Sequence, residues 1–175
     1  MKRLIPALLC VITFWPLQAQ DNSFVMEPKP PSIIARISFI SPQLIAEIAP
    51  SDYFTLSLGF WLKTNFWDYD QWAPSSPPYV TPSFKLEPRY YFNLDDRHDK
   101  AKSTRYYSGW YISLPFNIEF PDFRYSLGGA IGFQYTMGRR WYWNISLGPG
   151  FTYSDSRFYM SGAGEFGLGI ILNKM

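Results

Sequence analysis

Apolar and polar residues alternate with a period of two over most of the chain. From 79 to 92 the even positions hold Val80, Pro82, Phe84, Leu86, Pro88, Tyr90 and Phe92. The odd positions hold Tyr79, Thr81, Ser83, Lys85, Glu87, Arg89 and Tyr91. Successive side chains of a strand point to opposite faces, so this segment predicts a strand between two unlike environments. The same reading holds for 54–66, 110–120, 123–137, 141–153 and 158–172, with Phe, Trp, Leu and Ile facing Ser, Thr, Gly and scattered charges. No helical stripe is seen beyond the N-terminal segment. Within 33–50 the phase changes: Ile33, Ala35, Ile37 and Phe39 are odd, whereas Leu44, Ala46 and Ile48 are even. A strand cannot change phase without a bulge, so Ser41-Pro42 marks either a bulge, giving seven strands, or a hairpin, giving eight. Pro82, Pro88, Pro115 and Pro149 each remove a ladder donor, which predicts bulges or shortened strands there.

Alternation alone does not say which face is inside. Residue size decides. The apolar face carries rings and branched chains at nearly every position, and the polar face carries many Gly, Ser, Thr and Ala. An eight-stranded barrel has an interior just wide enough for side chains, so rings from every strand would overfill it. A soluble exterior would hold many Lys and Glu on its strands, yet the charge here sits mostly in connections. The predicted fold is therefore all-β: a closed antiparallel up-and-down transmembrane β-barrel with its bulky face towards lipid. Trp110, Trp141, Trp143, Tyr90, Tyr125 and Tyr153 suit aromatic girdles at the two interfaces. Exported single-chain barrels have even strand numbers, which favours the hairpin and eight strands. The competing architecture is a soluble lipocalin-like calyx, apolar inside. Connections are read at 49–52, 68–78, 95–105, 121–122, 138–139 and 154–156. With both termini on one side, the charged connection 95–105 falls on that side too, which is unusually long for it.

The N-terminus reads as a secretory signal: Lys2 and Arg3, an apolar run from Leu4 to Leu17, then Gln18-Ala19-Gln20. The run is too short to span a bilayer as a helix. Cleavage after Ala19 is expected; a lipoprotein signal at Cys10 is the rival. This divides the chain into a signal at 1–19, an extended lead-in at 20–32 and a barrel at 33–175. Removing Lys2 and Arg3 from 16 basic residues leaves 14 against 14 acidic ones, so the mature chain is neutral and offers no basic footprint for nucleic acid. At 47% apolar, 20% aromatic and 17% charged, the chain is not a disordered one. A single Cys excludes disulfide frameworks and cysteine-built metal sites.

Charges on the polar face are Glu47, Lys63, Lys85, Glu87, Arg89, Glu119, Arg124 and Glu165. Inside a narrow barrel unpaired charges are very costly, so these are expected to pair into a structural network that plugs the lumen. The alternative is a narrow, porin-like solute channel. Catalytic, metal and cofactor residues are not assigned. His98 is the only histidine and lies in the charged connection without strand parity. Glu87 and Glu119 could serve as acid and base, but Lys85 and Arg89 favour ion pairs. The glycines of 128–132 and 162–169 alternate on strands with no helix following, unlike a phosphate loop.

Three phrases carry a family resemblance: Leu86-Glu87-Pro88-Arg89-Tyr90-Tyr91-Phe92-Asn93, Arg97-His98-Asp99-Lys100-Ala101-Lys102-Ser103-Thr104 and Ser108-Gly109-Trp110-Tyr111-Ile112-Ser113-Leu114. Together they resemble small outer-membrane β-barrel proteins of Bacteroidota, in which cleavage before a glutamine is common. The resemblance implies an outer-membrane location, with membrane lipid and the outer-membrane assembly machinery as partners. It supplies no catalytic or ligand residues. The molecular role it leaves open is structural or surface-interacting, with a lipid-modifying enzyme as an alternative. The C-terminus, Asn173-Lys174-Met175, departs from the aromatic ending usual for such barrels.

Overall fold

A computed structural model describes residues 32–64, 80–121, 123–154 and 156–173. The expected signal, the lead-in up to residue 31 and the connection 68–78 lie outside the described residues. Among these residues, twelve strand segments and one short helix follow in order: β1 (Ile33–Ser38), β2 (Gln43–Ile48), β3 (Phe54–Thr64), β4 (Val80–Tyr91), α1 (Leu94–Asp99), β5 (Gly109–Ser113), β6 (Phe116–Glu119), β7 (Arg124–Gly128), β8 (Ala130–Met137), β9 (Trp141–Leu147), β10 (Pro149–Ser154), β11 (Arg157–Gly162) and β12 (Glu165–Ile171). The last eight segments join end to end as four long staves. β5 and β6 face one strand, β4, in a single unbroken register. The same holds for β7–β8 against β10–β9, and for β11–β12 against β10–β9. Every stave pairs antiparallel with the next, and β12 returns to β1 through Arg36↔Ile171, Ile37↔Ile170 and Ser38↔Gly169. The result is a closed eight-stranded antiparallel barrel.

The hairpin at Ser41-Pro42 is present: β1 and β2 pair from Ile33↔Ile48 to Ser38↔Gln43. It is short, six residues a side against eleven in β3 and twelve in β4. Register partners followed round the wall from Ile37 run through Leu44, Phe60, Phe84, Ile118, Tyr125 and Tyr153 to Phe158. Ile37 itself pairs with Ile170, twelve residues further along that stave. This stagger tilts the strands and sets the width of the lumen.

Of the bulges or shortened strands expected at the prolines, bulges are not seen, while the strands are interrupted at Pro115 and Pro149. Pro82 and Pro88 stay in register opposite Leu62 and Leu56, and their carbonyls accept from Phe120 and Leu114 N–H. Pro115 and Pro149 stand where segments are interrupted, and their carbonyls accept from Gly128 and Gly129 N–H. Each proline loses one donor but keeps its acceptor, and the register on both sides is unchanged.

The bulky face is the outside. Phe84 is 52% exposed and Leu114 60%, and Leu44, Leu58, Ile112, Ile131 and Ile145 share that face. Trp110, Phe133, Tyr135 and Trp143 form a continuous ring cluster on this wall. The described chain begins and ends at one end of the barrel, called basal here. The connection 92–108 lies at the same end, as expected from the strand count. It is not a plain charged loop, however: Leu94–Asp99 form a helix of six residues, with Asp95 and Asp96 in the first turn.

Candidate functional site

The basal half of the lumen is filled by a network of opposite charges. Arg36 forms an ion pair with Glu47, and both are buried. The Glu47 carboxylate also accepts from the Thr55 hydroxyl at 2.5 Å and the Tyr91 hydroxyl at 3.2 Å. A second cluster lies beside it. Glu87 accepts from Arg89 at 2.6 Å and pairs with Lys85 at 3.1 Å. Glu165, from the far wall, pairs with Lys85, lies 3.3 Å from Arg89 and accepts from Asn144 at 2.7 Å. Arg89 also donates to Gln134 and stacks over the Tyr111 ring, 4.7 Å from its centroid. Three cations face three anions, so the charge of the cluster closes on itself. This balance is what makes burial tolerable, because an isolated charge there would cost several kcal/mol.

Local sequence explains the placement. Lys85, Glu87 and Arg89 alternate along β4 and project inward together, while their neighbours Phe84, Leu86 and Tyr90 project outward. Gly132 opposite Tyr111 makes room: a Cβ there would lie 2.4 Å from the ring.

The basal mouth is stoppered by the chain's own connection. Tyr106 and Tyr107 are buried, and both adopt left-handed backbone angles, φ 48 and 61. That conformation is uncommon for bulky residues and persists only when its surroundings hold it. Here the Tyr106 carbonyl accepts from Arg36 at 3.1 Å and from Gln134 at 2.9 Å. The Tyr107 ring packs 5.2 Å from Tyr91, and its hydroxyl donates to the Ser51 carbonyl. Burial pushes the Tyr107 phenol up to about 12. Nearby, the Asp95 carboxylate accepts from Tyr53 and raises that phenol's pKa.

Of the charges expected in the lumen, Glu47, Lys85, Glu87, Arg89 and Glu165 come together as described. Glu119 and Arg124 do not join them. They are register partners across the β6–β7 turn at the distal end, Glu119 half-buried and Arg124 exposed. They flank the distal turn itself, so lumen parity there does not bring full burial. Lys63 lies in β3 opposite Thr81, but its side chain is outside the described residues. Arg36 was missed, although its even position among odd apolar residues in 33–39 placed it on the polar face. Tyr106 and Tyr107 carry no periodic signal, because their burial comes from a connection folding back.

Comparison with protein-family models, with curated proteins and with solved structures finds no match. The site must therefore be read from its own geometry. Among the described residues no group of three or more His, Cys, Asp or Glu is placed to hold a metal ion. His98 is exposed on α1, 3.9 Å from Asp99 and outside the lumen. Each buried carboxylate is engaged by a cation or a donor, so what the arrangement does chemically is neutralise and fill.

Proposed function

We propose that this chain is an integral outer-membrane β-barrel protein of the kind its β4–β5 phrases resemble, exported by a cleaved signal. Its basal lumen is a structural plug, and its role is structural or surface-interacting rather than catalytic. The observation that carries this reading is the inversion of its faces. Large apolar side chains cover the outer wall all the way round, while six charged side chains are buried within. Soluble monomers rarely expose apolar patches beyond a few hundred Å², and membrane barrels are apolar outward and polar inward. A carrier of calyx type would show the opposite arrangement. The girdle residues support the same reading. Trp110, Trp141, Trp143 and Tyr90 lie towards the basal end of the outer wall, and Tyr125 and Tyr153 towards the distal end. The partners this implies are membrane lipid and the machinery that inserts barrels.

The test is membrane fractionation combined with gel mobility before and after boiling in detergent. The chain should travel with the outer envelope and run as a compact form until heated. Recovery as a soluble periplasmic protein without detergent overturns the proposal.

A further inference from the structure

We propose that the basal rim of the outer wall over β5, β8 and β9 binds the phosphate headgroup of an anionic membrane lipid, held by Arg97, Arg139 and Arg140 beside the girdle rings. This rests on the outer-membrane reading above.

The seating of α1 builds the site. Leu94 is buried at the rim, and the Asn93 side chain accepts from Trp110 N–H at 2.7 Å. Gly109 leaves room for this contact: a Cβ there would lie 2.7 Å from Asn93 Oδ1 and 3.0 Å from Leu94 Cδ2. So seated, the helix sends Arg97 over the rim onto the outer wall. Its guanidinium lies 5.6 Å from the Phe133 ring centroid and 5.9 Å from that of Tyr135. Arg97 Nε and Nη2 donate to the Ser103 carbonyl at 3.1 and 2.8 Å, which fixes the side chain. A cation beside aromatic faces is attracted by the ring quadrupole, and an arginine there keeps its charge.

The surroundings are of one sign. β5, β8, β9 and the turn 138–140 contain no Asp or Glu. That turn adds Arg139 and Arg140, both exposed, next to the paired Met137 and Trp141. The carboxylates of α1 face other ways. Asp95 and Asp99 lie roughly 160° round the helix from Arg97. Asp95 accepts from Tyr53, and Asp96 pairs with Lys100. Three cations therefore collect on one sector of a chain whose charge from residue 20 onward sums to zero.

Depth and chemistry choose the ligand. Aromatic girdles lie at headgroup level, and Trp110, Tyr135 and Trp143 put this sector there. Arginine forks match phosphate oxygens, and each basic residue beside an anionic leaflet adds attraction. An anionic lipid satisfies the whole surface at once. Its phosphate meets the arginines, and its acyl chains continue along the outward Ile131 and Ile145. A free phosphate ester offers the same oxygens but leaves that apolar wall unused.

The test uses the chain from residue 20, which lacks Cys10, in vesicles mixing phosphatidylcholine with phosphatidylglycerol. A bimane label is placed on Met137→Cys, beside the arginines, or on Phe54→Cys, on the far wall at the same end. Either lipid in turn carries bromine on its acyl chains. At 137 the quenching should report a preference for phosphatidylglycerol of about fivefold or more, the scale of one cation beside an anionic surface. At 54 the two lipids should quench alike. Combining Arg97→Gln, Arg139→Gln and Arg140→Gln should abolish the preference at 137. The pair Arg139→Gln and Arg140→Gln alters only the exposed turn and should remove part of it, so the test holds even if the triple variant fails to fold. Equal quenching by both lipids at 137, the same preference at 54, or a preference unchanged in the double variant overturns the inference and leaves the membrane reading intact. A preference abolished by soluble glycerol phosphate also overturns it, since the site then takes free phosphate. No quenching at either position removes the membrane reading itself, and the inference with it.

Discussion

Replacing Glu47 by Leu isolates the most fully enclosed charge in the barrel. Arg36 then keeps one acceptor, the Tyr106 carbonyl at 3.1 Å, and the Thr55 and Tyr91 hydroxyls lose theirs. Breaking a buried pair on one side costs about 3–5 kcal/mol, because a charge remains without compensation. Replacing Arg36 by Met as well removes that charge. The Tyr106 carbonyl still accepts from Gln134, so what remains is two hydroxyls without an acceptor, about 1–3 kcal/mol each. The double variant is therefore expected to be more stable than Glu47→Leu and to lose less than the sum of the two singles, with a coupling of at least about 2 kcal/mol. Glu87→Leu provides the contrast. Lys85 and Arg89 both retain Glu165, so this variant should cost less than Glu47→Leu. Urea unfolding in detergent micelles, followed by tryptophan fluorescence, measures all four. If the double variant loses as much as the sum of the singles, Arg36 and Glu47 are not a coupled buried pair and the plug description is wrong.

Other expectations are simpler. Phe84→Arg places a cation on the outer wall and should destabilise the lipid-embedded barrel by about 2–4 kcal/mol, read by unfolding from vesicles. Gly132→Ala brings a methyl against Tyr111, so either the ring shifts or the strand does; a loss of about 1–3 kcal/mol is expected, read as a lower temperature for the heat-induced gel shift. Tyr107 is held neutral by burial, with its phenol pushed up to about 12. Its contribution to stability is complete below about pH 10, where the unfolded phenol titrates, and is lost as pH rises towards 12. Tyrosinate absorbance should accordingly show a late-titrating group that disappears in Tyr107→Phe. The basal stopper predicts no conductance steps above background in a planar bilayer; regular steps would contradict it.

Strand parity carried most of the fold. It located each stave, marked the phase change at Ser41-Pro42 that the even-strand rule then favoured as a hairpin, and put Lys85, Glu87 and Arg89 on one inward face, because side-chain direction in a strand is fixed by odd and even number alone. It did not carry depth. Glu119 and Arg124 have lumen parity, but they flank the distal β6–β7 turn, and parity does not say how far along the barrel a residue lies. Prolines in β4 were expected to distort it, yet the carbonyls kept the register. The Tyr106–Tyr107 stopper was illegible because its burial depends on partners far away in sequence, Arg36 and Gln134, and not on any local pattern. The helix Leu94–Asp99 escaped for a related reason: one leucine followed by five charged and polar residues makes no stripe.

The central claim is that the ring-bearing wall meets acyl chains and the ionic interior does not. Methyl NOEs in detergent micelles measure this residue by residue. Cross-peaks to detergent acyl protons are predicted from Leu44, Leu58, Ile112, Ile131 and Ile145, and none from Ile34, Ile45 or Ile171. Detergent contacts from the second set, or water contacts from the first, would contradict the account.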